Sequence, residues 1–445
     1  MLKTKPKNSE TSLAVVYHSA SDLLPYKNNP RTHSSKQVQQ LVRSIEQFGF
    51  TNPILVDAER NIIAGHGRLL AAKQLGMDQI PTIRLDHMTE AQKKAYIIAD
   101  NKLAENAGWD QDLLALEIKY ISELDISFDL TVLGFEMPEL DIFLSDEAID
   151  EEEEPVAAPS GPVISQLGDK WLLGRHVLIC ADATKAASFE QLLGDERPEI
   201  VFTDPPYNVK VNGHICGKGT QHEEFVMATG EMSETEFTKF LSDVLSQLVN
   251  FTSDGSLHYI CMDWRHMREL LAAGGHYKEL KNLCIWNKTN GGMGSFYRSK
   301  HELVFVFKNG TAPHTNNVSL GKYGRYRTNV WDYAGVNTFK NDREAELEMH
   351  PTVKPVKMIA DAILDASQRN GLILDCFGGS GSTLIAAEQT QRIARLLELD
   401  PKYVDVTIRR FEKTTGQKAR LEGTGQSFKE VESQRLAERK FVHVE

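Results

Sequence analysis

Cysteine is scarce in this 445-residue chain: Cys180, Cys216, Cys261, Cys284 and Cys376 are widely spaced, odd in number and form no C-x-x-C pair. That pattern argues against a disulfide framework and against a zinc site, both of which need clustered thiols. Long hydrophobic runs are missing too. No stretch approaches the roughly eighteen apolar residues that a membrane span needs, and the opening MLKTKPKNSETS lacks the apolar core of a secretory signal. The expectation is a cytoplasmic protein without membrane contact. Acids are nearly absent from residues 281–330, where Glu302 stands alone among Lys281, Lys288, Arg298, Lys300, Lys308, Lys322, Arg325 and Arg327. The local balance is +7 in a chain whose formal net charge is -12. Trp286, Phe296, Tyr297, Tyr323 and Tyr326 are interleaved with those cations. Such a surface suits a phosphate backbone, although a merely solvated basic face would read the same way. Overall acidity therefore does not exclude nucleic acid, because the distribution of charge decides.

The acids are gathered elsewhere. SDEAIDEEEEP places seven of them in residues 145–155, and PVAAPSGP follows with Pro155, Pro159 and Pro162. Like charges repel and the prolines resist regular structure, so this stretch reads as a solvated linker. At 50.0 kDa the chain is too long for a single core. The expected division is a small α+β domain over residues 1–140, a linker over 141–164, a larger α/β domain over 165–420 and a charged tail over 421–445.

In the first domain, SSKQVQQLVRSIEQFGF sets Val38, Leu41, Val42, Ile45 and Phe48 on one helical face, with Ser34 or Ser35 as N-cap and Gly49 just past the end. NPILVDAERNIIAGHGRLLAAKQLG then predicts a strand, a turn, a second strand and a helix opened by glycine. No catalytic pair is evident there. From GDKWLLGRHVLICADATK onward strands and helices alternate, which predicts a parallel sheet with crossover helices.

Two stretches of the second domain carry chemistry. In GLILDCFGGSGSTLIAAEQTQRIARLLELDPKYV, Leu372 to Leu374 read as a strand, Gly378, Gly379 and Gly381 as a loop, and Ser382 to Thr390 as a helix. Such a loop lets backbone amides approach a ligand, and the helix N-terminus favours an anionic group. Twenty residues past Gly378, Glu398 ends the next strand, where an acid binds ribose hydroxyls in nucleotide sites. The other stretch is VFTDPPYNVK at 201–210. Pro205 and Pro206 fix φ and remove two donors, so the strand stops at Asp204 with carbonyls unpaired. Asp204 adds an acceptor and Tyr207 a flat apolar face, a combination suited to a planar ligand bearing an amino group. An ordinary strand-ending turn could carry the same prolines. In a doubly wound sheet both stretches would face one crevice at the carboxyl ends of the strands.

DPPY at 204–207, HPTVKP at 350–355 and FGGSGS at 377–382, with DPPY ahead of the Gly-rich element, resemble the β class of S-adenosylmethionine-dependent DNA amino-methyltransferases. The likeness covers residues 165 to about 420 and implies a Rossmann-like doubly wound methyltransferase sheet. It implies catalysis by Asp204, Pro205, Pro206 and Tyr207 on a base flipped out of duplex DNA. It also implies cofactor contacts from Asp182, Thr352, Lys354, Asp375, Phe377, Gly378, Gly379, Gly381 and Glu398. Of these, Asp375 would take the methionine ammonium, Thr352 and Lys354 the methionine carboxylate, Glu398 the ribose and Asp182 the adenine. A target-recognition segment is expected within 280–335, with Lys288, Arg298, Lys300, Arg325 and Arg327 as DNA-binding candidates. An acid heading the turn favours adenine N6, with cytosine N4 as the alternative. An RNA methyltransferase remains a same-chemistry rival, and the reading from another class is a DNA-binding regulator with a non-catalytic methylase module. A homodimer is left open.

NNPR at 28–31, GFTNPILVD at 49–57 and AGHGRLLAAKQLG at 64–76 make the first domain resemble the ParB/sulfiredoxin-like fold. Sulfiredoxin chemistry is excluded, because no cysteine precedes Cys180. Relatives of the ParB type bind CTP through a Gly-Arg turn like Gly67-Arg68, but their second phosphate box departs here to IIADNKLAE. Nucleotide binding, DNA positioning and protein contact all remain open roles for this domain.

Overall fold

The computed structural model describes residues 13–124, 128–144, 161–208, 231–289, 296–321, 325–334 and 353–442. The chain divides into two compact units, Met1–Leu144 and Ser145–Glu445.

The first unit contains β1 (Val15–Ser19), α1 (Ser35–Phe48), β2 (Ile54–Val56), β3 (Ile62–Ala64), α2 (His66–Gln74), β4 (Gln79–Arg84), α3 (Glu90–Glu105), α4 (Gln111–Leu124) and α5 (Met137–Leu144). Its sheet runs β1-β4-β2-β3, with β2 parallel to β4 and the other pairs antiparallel. Ser34 caps α1 by accepting from the Gln37 amide, and Gly49 at φ 77 ends it, as the sequence predicts. Gly65 opens α2 from the left-handed region, which glycine enters without a Cβ clash. Leu23, Ile54, Val56, Ile62, Leu69, Ala72 and Ile80 fill this small core.

A separate apolar cluster, Ile118, Leu130 and Leu140, joins α4 to α5. It extends structure to Leu144, so the first residues of the expected linker are helix instead. Phe143 and Leu144 pack against that cluster, which is why helix persists there. Residues 145–160 of the expected linker lie outside the described residues.

The second unit contains β5 (Lys170–Leu173), β6 (His176–Cys180), α6 (Ala186–Leu193), β7 (Ile200–Thr203), α7 (Glu234–Phe251), β8 (Leu257–Met262), α8 (Met267–Ala273), β9 (Glu279–Asn287), β10 (His301–Lys308), β11 (Val330–Asp332), α9 (Val356–Ala366), β12 (Leu372–Asp375), α10 (Ser382–Gln389), β13 (Ile393–Glu398), α11 (Pro401–Thr415), β14 (Arg420–Leu421) and α12 (Phe428–Val442). The sheet order is β11-β9-β10-β8-β7-β12-β13-β6-β5-β14. The run β8-β7-β12-β13-β6 is parallel throughout, and β10 enters antiparallel between β8 and β9. Both faces are covered, so the central strands read as continuous apolar runs such as the wholly buried Leu257–Met262.

Register Ile373↔Ile200 places β12 beside β7. From β12 the chain crosses to β13 on one side, and from β7 it crosses to β8 on the other. Neighbouring strands whose connections leave in opposite directions make a topological switch point, and a crevice opens at their carboxyl ends.

The charged stretch 421–445 is not a free tail over its described part. Phe428 is buried against Trp171 at 5.4 Å between ring centroids, and Arg435 pairs with Asp169. The amides of Ile164 and Ser165 donate to Asp405 at 2.7 and 2.9 Å, which ties the segment ahead of β5 to α11. Among the described residues no helix is long and apolar enough to cross a membrane.

Candidate active site

Pro205 and Pro206 end β7 because they offer no amide to the ladder. The turn they create is clipped at its far end by Asn208, in the left-handed region at φ 53, which asparagine tolerates. Its side chain donates to the Met232 carbonyl at 2.8 Å and accepts from the Met232 amide at 3.2 Å. No described residue donates to the Pro205 carbonyl, which leaves it available as an acceptor.

The second wall follows β12. Asp375 accepts from Thr203 Oγ1 at 2.8 Å, from Thr383 Oγ1 at 2.7 Å and from the Phe377 amide at 3.0 Å. It thereby ties the ends of β7 and β12 to the start of α10. Gly381 sits at φ +83, and a Cβ there would meet Thr407 Cγ2 at 2.8 Å, so the turn into α10 requires glycine twice over. The Gly379 amide donates to Glu398 at 2.7 Å and the Asp400 amide donates to the same carboxylate at 2.8 Å. Phe377 packs on Phe240, 6.1 Å between centroids.

These pieces line one cavity of about 170 Å³. Its walls include Asp182, Asp204, Pro205, Pro206, Tyr207, Lys354, Asp375, Phe377, Gly378, Gly379 and Glu398. Of the expected site residues, Gly381 stands behind that wall as the N-cap of α10, and Thr352 lies outside the described residues. Asp182 accepts from the Thr184 amide and hydroxyl at 2.8 and 2.7 Å, which fixes its carboxylate at the end of β6. Burial pushes Asp375 up to about 6 despite its three donors, and pushes Glu398 up to about 7 despite its two amides. The partners of both carboxylates among the described residues are neutral donors. A cationic or hydroxyl-rich ligand would supply what they lack.

Lys354 departs from expectation. Instead of standing free for a ligand carboxylate, its ammonium, 5% exposed, is bonded to Asp204 and lies 3.1 Å from Glu302. Burial opposes its charge, but the two carboxylates outweigh that and hold it protonated. Asp204 also accepts from the Tyr207 hydroxyl. Burial raises the Asp204 pKa, Lys354 opposes the rise and Glu302 adds to it. Glu302 is the residue that sequence reasoning passed over. Its signal was faint, an isolated acid in a basic stretch.

The DNA-binding candidates divide. Arg298 and Lys300 are exposed. Lys288 pairs with Glu302 and lies 4.5 Å over the Trp286 ring, so its charge is largely spent inside the protein. Arg325 and Arg327 are instead engaged within the protein, both facing Asp365 and Asp361 on α9, at 2.7 and 3.4 Å for Arg325 and 3.0 and 3.6 Å for Arg327. Arg327 further donates to the Tyr333 hydroxyl at 2.8 Å. These arginines anchor the segment around β11, and their sequence gave no hint that two acids one helical turn apart on α9 would claim them. Arg327→Ala should therefore lower stability by about 1 to 3 kcal/mol, since Asp365 keeps Arg325 but loses the charged hydrogen bond from Arg327. The salt dependence of DNA binding should stay unchanged, and melting plus binding at graded salt checks both.

Among the described residues no group of His, Cys, Asp and Glu is arranged to hold a metal ion. The arrangement offers a planar-base turn and a carboxylate-lined ligand cleft in contact, with Thr203 joining them.

Residues 199–409 match a family model described as DNA methylase, residues 4–101 match the ParB N-terminal domain, and residues 112–167 match the ParB-methyltransferase HTH domain. The ParB-like nuclease domain-containing protein YnaK of Escherichia coli (strain K12) is 54% identical over 82 residues, 18% of this chain and 94% of that protein. Type II methyltransferase M2.MboI of Moraxella bovis is 23% identical over 234 residues, 50% of this chain and 83% of that protein. The solved PvuII DNA methyltransferase (cytosine-N4-specific) is 16% identical, covering 55% of this chain and 90% of its own, with a TM-score of 0.41.

Proposed function

Because this chain belongs to the N6/N4 DNA methylases and carries a ParB N-terminal domain ahead of its methylase, we propose that it methylates the exocyclic N6 of adenine in duplex DNA. The observation that carries this reading is the contact of two sites in one cavity: the Asp204 turn at the end of β7 and the Asp375–Glu398 cleft beyond β12 and β13. Its cofactor is S-adenosylmethionine, which when bound supplies a methyl group activated on a sulfonium sulfur. The residues present fit it. Asp375, buried with only neutral donors, suits an ammonium, Glu398 suits ribose hydroxyls, and Asp182 and Phe377 flank the space for an adenine ring.

An exocyclic amine is a poor nucleophile because its lone pair is delocalised into the base. Hydrogen bonds from the amine to the Asp204 carboxylate and the Pro205 carbonyl localise that pair, so positioning and electrostatics suffice without a covalent enzyme intermediate. A base within the duplex cannot reach the turn until it is flipped out, when the Tyr207 ring offers a stacking face. Attack at a ring carbon of cytosine would need a thiolate. The thiols nearest the cavity, Cys261 and Cys376, are pushed well above the ordinary range by burial and stay protonated. The acid at the head of the turn supports adenine over cytosine. Single-molecule sequencing of DNA from cells expressing the protein should reveal modified adenines at one short motif. Modified cytosines would move the assignment to N4, and no modification would remove it.

No residue of the first unit is needed by this chemistry, so that unit serves DNA engagement. A chain starting at Gly161 keeps Ile164 and Ser165 on Asp405. It is expected to fold and to methylate DNA at high enzyme concentration, while affinity for DNA falls. A folded but wholly inactive product would assign the first unit a part in the chemistry.

A further inference from the structure

Glu302 lies at the start of β10, outside the cavity wall, yet it touches the groups that crowd Asp204. Its Oε1 accepts from Lys288, and its Oε2 accepts from the Tyr207 hydroxyl at 3.2 Å and lies 3.1 Å from Lys354. Two carboxylates and two ammoniums balance, which is the condition under which such charges tolerate burial. The phenol has one proton and two carboxylate acceptors, so it serves Asp204 or Glu302 but not both. Lys354 likewise divides its donors between the two acids. Both already lie nearer Asp204, and without Glu302 they would have no second carboxylate to turn to when an incoming amine requires those acceptor positions.

We infer that Glu302 is a positioning residue for methyl transfer, the alternative acceptor to which Lys354 and the Tyr207 proton, both nearer Asp204 in this structure, turn when that carboxylate receives the target amine. The inference rests on the reading of Asp204 as the amine's acceptor. In the transfer, the amine nitrogen bonds to the methyl carbon, the carbon–sulfur bond breaks with its electron pair left on sulfur, and one amine proton passes to Asp204. Protonated Asp204 then donates to the phenol oxygen, and the phenol proton turns to Glu302. Only hydrogens need move.

The groups facing Asp204 are Lys354 from the segment ahead of α9, Tyr207 on its own turn and Glu302 on β10 with Lys288 behind it. Among the described residues, Cys261 of β8 and Asp375 at the end of β12 also act on Asp204. Glu302 raises the Asp204 pKa, so removing its charge lowers that pKa and the carboxylate survives to lower pH. Removing the charge of Lys288 acts in the opposite sense.

The test is the pH profile of kcat at saturating S-adenosylmethionine and duplex DNA for wild type, Glu302→Gln, Glu302→Asp and Lys288→Gln, with cofactor affinity by calorimetry. Glu302→Gln is expected to lose about tenfold or more in kcat, with cofactor affinity unchanged and the acid limb displaced to lower pH. Glu302→Asp should recover most of the rate, and Lys288→Gln should displace the limb to higher pH. Should Glu302→Gln fail to fold, Lys288→Gln, at the more exposed end of the cluster, still decides by the sign of its displacement. Wild-type kcat with unmoved limbs would overturn the inference, as would a loss confined to cofactor affinity. An inactive wild-type protein would instead overturn the reading of the site itself.

Discussion

Replacing Asp204 by alanine is expected to lower kcat for methyl transfer by about a thousandfold, while S-adenosylmethionine binds within a few-fold of its wild-type affinity. The separation follows from where the carboxylate acts. In the proposed reading Asp204 meets the amine, whereas Asp375 and Glu398, each held by its own donors, meet the cofactor. A thousandfold corresponds to about 4 kcal/mol of transition-state stabilisation, within the range for a positioned acid–base group. The variant should fold, because Lys354 keeps Glu302 as a partner and the buried ammonium is not orphaned. Calorimetry with the cofactor and a tritiated-methyl assay on duplex DNA read the two halves. Activity above about a tenth of wild type, beyond what loss of a catalytic base permits, would sink the assignment of Asp204.

Glu398→Ala should act in the complementary way, weakening cofactor affinity by about 1 to 3 kcal/mol through lost charged hydrogen bonds. Part of that loss comes through the protein, because the Gly379 amide loses the acceptor that fixes the loop. The pH dependence carries a sign. Burial pushes Glu398 up to about 7 and Asp375 up to about 6. Ligand that prefers the carboxylates must displace those protons, so affinity rises with pH through 6 to 7 and levels above. The same groups lower the stability of the ligand-free protein as pH climbs from the ordinary carboxylate range to 7, because the folded state holds protons that the unfolded chain has released. The rise in Tm on adding cofactor should thus be larger at pH 8 than at pH 6, and Glu398→Ala should flatten the upper part of that trend. An affinity indifferent to pH across this window would remove Glu398 from the ribose site.

The parts of the site legible in the sequence are those set by local backbone chemistry. DPPY announces a stopped strand, Gly381 a turn that admits no side chain against Thr407, and Glu398 a strand-end acid at nucleotide spacing. Ser34 and Gly49 likewise mark the ends of α1. What escaped were the long-range pairings. Nothing local tells that Lys354 and Glu302 will meet at Asp204, or that Asp361 and Asp365 will pair with Arg325 and Arg327. The helix at 428–442 was misread for the same reason, since its charge is visible in the sequence and the contact of Phe428 with Trp171 is not. In the first unit, Asp110, Asp129 and Gly134 mark local ends, but the packing that brings Ile118, Leu130 and Leu140 together is not visible in any one of those segments.

The most direct test of the account is to incubate the purified full-length protein with duplex DNA and S-adenosylmethionine, digest the DNA to nucleosides and resolve them by mass spectrometry. The account predicts N6-methyladenine as the dominant product, absent from the Asp204→Ala reaction. A dominant N4-methylcytosine peak would contradict the adenine assignment and keep the mechanism, whereas 5-methylcytosine, or no methylated base at all, would contradict amino-methyl transfer at this site.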